Sequence, residues 1–69
     1  MMNERKWINF LFEDMESGEC FFVELEMDGS TIDELLEAAQ AIADENFEAA
    51  EFQEVVSAED AELMGLDTY

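Results

Sequence analysis

Histidine and proline are absent from this 69-residue chain, cysteine occurs once, and only two residues are basic. Without histidine the commonest acid–base group and metal ligand is missing. The possible nucleophiles are Cys20, Ser17, Ser30, Ser57, Thr31, Thr68 and Tyr69, and no imidazole is present to activate any of them. The three glycines are scattered, so no glycine-rich loop offers backbone N–H groups to a phosphate. We therefore expect no enzyme and no cofactor. The lone Cys20 cannot form an internal disulfide, which fits a reducing compartment, and it is expected to be a half-buried strand residue. No apolar run approaches the ~20 residues that span a bilayer. The opening MMNERKWINF has neither the long apolar stretch nor the small-residue cleavage site of a secretory signal. A cytoplasmic location is expected.

What the chain has in excess is negative charge. Twenty acidic residues face Arg5 and Lys6, a formal net charge of −18, and nineteen carboxylates follow Lys6 with no cation among them. Surface ion pairs account for almost none of this. Self-repulsion on this scale works against the compact state. The same field repels nucleic acid and anionic membrane and attracts basic protein surfaces. Yet 49% of the residues are hydrophobic, six of them Phe, so the composition is that of a folded domain rather than an acidic tail. At this length one domain, residues 1–69, with one small core is expected.

Lys6–Glu13 alternates as a strand, with Ile8, Phe10 and Phe12 on one face and Trp7, Asn9 and Leu11 on the other. Asp14–Glu19 supplies a turn in which Gly18 is free to take positive φ. Cys20–Met27 is a second strand, with Phe21, Val23, Leu25 and Met27 inward and Phe22, Glu24 and Glu26 outward. The two form an antiparallel hairpin. Ser30–Phe47 then reads as one amphipathic helix. Ile32, Leu35, Leu36, Ala39, Ile42 and Ala43 make its apolar stripe. Its start is marked by Thr31 and Glu34 as a capping box, with Ser30 and Asp33 as the competing register. Ala50–Val56 is a shorter third strand with Phe52 and Val56 on one face. Ser57 caps a terminal helix, Ala58–Met64, stopped by Gly65. Leu66–Tyr69 either folds back or frays.

The order β-β-α-β-α predicts an α+β domain. Its three-stranded antiparallel sheet has order 2-1-3, with the main helix on one face. A single helix covers one face only. Trp7, Leu11 and Phe22 are therefore expected to lie partly bare, under the terminal helix or at an interface with a partner or a second copy.

Glu24-x-Glu26-x-Asp28-Gly29 imitates the opening of a calcium loop, but its twelfth position is Leu35 where a carboxylate is required, with Glu34 one place early. No dedicated metal site is expected. Asp33, Glu37, Asp44 and Glu48 fall within a narrow arc of the helix, at axial steps of roughly 6, 10 and 6 Å. The steps of ~6 Å are close to the separation of successive phosphates on one strand. A compact domain of this length is about 28 Å across. That length of duplex DNA holds roughly 16 charges, close to the 18 carried here.

In size, charge and the acidic stretch from Asp33 to Glu48, the chain resembles the small acidic inhibitors carried by phages and mobile elements. Among them are anti-CRISPR and anti-restriction proteins that occupy nucleic-acid sites on host defence enzymes. The resemblance implies an inhibitor acting in the host cytoplasm on the basic surface of a nucleic-acid-binding protein. The PAM-reading or duplex-holding surface of a guide-RNA effector is one such target. It carries over no individual residue. Read from the sequence, the partner-binding residues are Asp33, Glu37, Asp44 and Glu48 on the helix and Glu24 and Glu26 on the second strand, with Trp7 and Phe22 as exposed aromatics. The alternative is an acidic adaptor that binds a basic partner through those aromatics, with charge serving encounter and selectivity. A third reading assigns the charge to solubility alone.

Overall fold

In a computed structural model of the chain, residues 6–27 and 29–69 are described. The elements are β1 (Lys6–Asp14), β2 (Cys20–Met27), α1 (Ile32–Asn46), β3 (Ala50–Val56) and α2 (Ala58–Met64). The strands form one antiparallel sheet in the order β2-β1-β3, so the expected α+β architecture is the one observed. β1 and β2 pair without a break from Lys6 opposite Met27 to Glu13 opposite Cys20. Asp14 organises the turn between them. Its carboxylate accepts from the Glu16 N–H at 3.1 Å and the Ser17 hydroxyl at 2.8 Å. Its carbonyl accepts from the Gly18 N–H at 2.7 Å, and Gly18 takes φ 77°, a conformation that strains any other residue.

α1 begins at the Thr31 capping box. The Glu34 N–H donates to Thr31 Oγ1 at 3.2 Å, and the Thr31 N–H donates to Glu34 Oε1 at 3.1 Å. The helix buries Leu35, Ala39 and Ala43 against Phe10, Phe12, Phe21 and Val23 of the sheet, flanked by Leu36, Ile42 and Phe52. Small residues at 39 and 43 let the helix sit close to four aromatic and branched side chains. Ile32, expected in this stripe, is 39% exposed, because it lies in the first turn beyond the packed residues. Phe47 leaves the helix in an extended conformation and stacks its ring 4.1 Å from that of Phe21.

β3 departs from the sequence reading. Leu11 pairs with Glu54 but Phe12 pairs with Phe52, so Gln53 is an extra residue in β3. A bulge reverses the alternation beyond it. Phe52 therefore packs under α1, whereas Val56 joins Leu11 and Phe22 in a second cluster on the opposite face. The expectation that Phe52 and Val56 share a face is corrected by this one inserted residue.

The centre of that second face is covered. Ala61 of α2 and Leu66 pack against Leu11, Phe22 and Val56. Residues 67–69 then run parallel to the outer edge of β2, with the Phe22 N–H donating to the Asp67 carbonyl at 2.8 Å. The Tyr69 N–H donates to the Phe22 carbonyl at 2.7 Å. The Tyr69 ring meets Phe21 and Phe47 edge-on, each with centroids 5.3 Å apart. Of the two fates left open for Leu66–Tyr69, folding back is the one adopted. Gly65, at φ 64°, makes the reversal after α2.

Candidate functional site

The outer face of α1 carries Asp33, Glu37 and Asp44, all exposed, while its opposite face is locked to the sheet by the apolar stripe. Asp44 is held in place: the Gln40 side-chain amide donates to Asp44 Oδ1 at 3.0 Å and to the Ala50 carbonyl at 3.3 Å. This ties the middle of the acidic face to the start of β3. Glu48, expected to extend the same helical arc, is exposed but lies in the turn after the helix has ended at Asn46. The helical row is therefore three carboxylates long, with Glu48 beyond its end. Phe47 is the cause, since burying its ring against Phe21 requires the chain to leave the helix there.

Glu24, Glu26 and Trp7 lie on the other face of the sheet. Trp7 is paired across the ladder with Glu26, and Asn9 with Glu24. Trp7 is 48% exposed, Glu24 is exposed and Glu26 is half-buried. The residues read from the sequence as one binding set thus divide between the two sides of the molecule. Phe22 leaves the set: it is fully buried beneath Leu66 and between Leu11 and Val56, so it cannot serve as an exposed aromatic anchor. Asn9, on the same face as Trp7, is 2% exposed. Cys20, expected to be half-buried, is exposed.

β2 is regular through Met27, which places Glu24 and Glu26 in a strand where a calcium loop would need a turn, and the twelfth position, Leu35, is in the core. Asp28 lies outside the described residues. Among the described residues no three His, Cys, Asp or Glu side chains converge as a metal site, and no helix is long and apolar enough to cross a membrane.

The molecule measures 46 × 25 × 16 Å, longer and flatter than the 28 Å globule expected from chain length. A net charge of −18 over that long axis is on the order of one charge per 2–3 Å. This lies between a single nucleic-acid strand, at about 3.4 Å per charge, and a duplex, at about 1.7 Å. The flattening follows from a three-stranded sheet with a thin covering on its second face.

A further surface was not singled out by sequence. Val55 of β3 and Leu63 and Met64 of α2 are exposed by 44%, 85% and 48%, and they line a groove of about 340 Å³ with Glu54, Ser57 and Asp60. The adjacent Leu63-Met64 pair, on a helix that packs on the second cluster through Ala61, is the visible signal for it.

Taken together, these features define a small acidic α+β domain whose main helix presents an exposed row of three carboxylates with Gln40 between two of them. No protein-family model, no curated protein and no solved structure matches the chain.

Proposed function

We propose that this protein is a non-enzymatic inhibitor that mimics nucleic acid and occupies a basic DNA- or RNA-binding surface of another protein. The observation that carries the reading is the exposed row Asp33, Glu37 and Asp44 on a rigid helix, in a chain with no cation after Lys6. A basic groove built for phosphates meets, over the molecule as a whole, a net charge per length of the same order as that of a nucleic-acid strand, and the association is expected to weaken as salt rises. The natural class of target is a host defence nuclease, of the CRISPR or restriction type, met in the cytoplasm of an infected cell. The adaptor alternative retains Trp7 as an exposed aromatic, and burial of Phe22 removes the other half of its anchor.

The test is capture of purified CRISPR effector and restriction complexes on the immobilised protein, followed by competition with DNA or RNA. Binding that competitor displaces, and that the combined Asp33→Lys, Glu37→Lys, Asp44→Lys variant loses while keeping its circular dichroism spectrum, is the expected result. Unchanged binding by that variant would sink the helix-face reading.

A further inference from the structure

The two edges of the sheet are treated differently. β2's outer edge is occupied by residues 67–69, which take the backbone groups of Phe22 and the N–H of Glu24. Because Phe22 spends its backbone groups outward, Leu11 opposite it hydrogen-bonds across to Glu54, and Phe10 bonds to Val23. Val55, opposite Phe10 on the other side, is left with its N–H and C=O aimed away from the sheet. Among the described residues, no backbone group pairs with Val55 on that side. An open edge of this kind is a template for an added strand.

Beside that edge lies the groove formed by Val55, Leu63 and Met64. α2 has no fully buried residue: Ala61 packs on the sheet, while Leu63 and Met64 are presented to the outside. The groove is rimmed by Glu54 and Asp60, with Glu51 further along the strand. A second copy of this chain fits poorly, since it would bring the same carboxylates and another −18 to the same edge. A basic segment suits both the rim and the whole-molecule field.

We propose that the outer edge of β3 and the Val55–Leu63–Met64 groove form a docking site for an extended segment of a partner protein. That segment carries alternating basic and apolar residues and pairs as a fourth strand. Its backbone bonds to Val55, its apolar side chains lie on Val55's face of the sheet, and its Lys or Arg residues lie on the opposite face over Glu51, Glu54 and Asp60, with their aliphatic stems against Leu63 and Met64 in the groove. The site uses none of the α1 carboxylates, so it stands or falls apart from the nucleic-acid mimicry above.

The probe is a synthetic nine-residue peptide of alternating Lys and Val, with a control of equal charge in which Pro replaces each Val and prevents strand pairing. Binding is followed by amide NMR and hydrogen exchange on the full chain. The expected result is selective protection of the Val55 amide by the Lys-Val peptide, with the Pro peptide binding at least tenfold more weakly. Val55→Pro removes an N–H that the sheet does not use, and Leu63→Lys places a cation in the groove without disturbing packing. Each is expected to weaken binding tenfold or more, and the triple α1 charge reversal is expected to retain the Val55 protection. Equal binding of the two peptides would overturn the proposal. So would indifference to both Val55→Pro and Leu63→Lys, or a dimer of the free protein that Val55→Pro dissolves.

Discussion

Phe22 alternates on β2 between two inward-facing residues, a pattern that predicts an outward side chain, yet it is fully buried and holds the second cluster together. Replacing it with Ala removes a ring from between Leu11, Val56 and Leu66 and leaves a cavity. A loss of about 3–5 kcal/mol is expected from urea unfolding. An effect of that size belongs to packing, whereas an exposed binding residue would leave stability nearly unchanged. Thr31 is a smaller matter of the same kind. Thr31→Ala deletes one half of the capping box and is expected to cost about 1 kcal/mol, measurable by the same titration. Trp7→Ala, at a half-exposed position, should cost less than Phe22→Ala and separates the two aromatics cleanly.

Among the elements, residues 66–69 are the ones whose role sequence left undecided. Removing them uncovers Phe22 and frees β2's edge. Hydrogen exchange at the Phe22 and Glu24 amides is expected to accelerate toward that of an unprotected strand, with a lower urea midpoint. Protection that persists would mean that the edge is shielded by something else. All five elements were legible, because each carries a local signal: alternation in β1 and β2, the Thr31–Glu34 box in α1, and Ser57 and Gly65 at the ends of α2. The bulge was not. Gln53 has no residue type that marks it, and its position is decided by which of Phe52 and Val56 the two opposite clusters require. The acidic row on α1 was legible for the same reason as its apolar stripe, since one period generates both. Glu48 dropped out because helix length depends on a distant contact, the stacking of Phe47 on Phe21. The groove beside β3 depends on how α2 lies against the sheet edge, which no local pattern encodes.

At the scale of the whole molecule, charge opposes folding while defining the surface. Raising salt from about 0.01 to 0.15 M shortens the screening length from roughly 30 to 8 Å. The melting temperature is expected to rise over that range, as read by differential scanning calorimetry. A flat response would mean that the repulsion is already relieved. Neutralising the helix row with Asp33→Asn, Glu37→Gln and Asp44→Asn is expected to leave the melting temperature equal or higher while weakening capture of a basic target. Stability and binding would then move in opposite directions, which a surface selected for solubility alone does not require.

The bulge in β3 has a consequence for how the molecule comes apart. One strand feeds Phe52 to the layer beneath α1 and Val56 to the layer beneath α2, and both layers share β1 at the centre. Neither layer can loosen without disturbing the strand that anchors the other. Despite two separate clusters, heat should dismantle this protein in one cooperative step, with calorimetric and van't Hoff enthalpies equal.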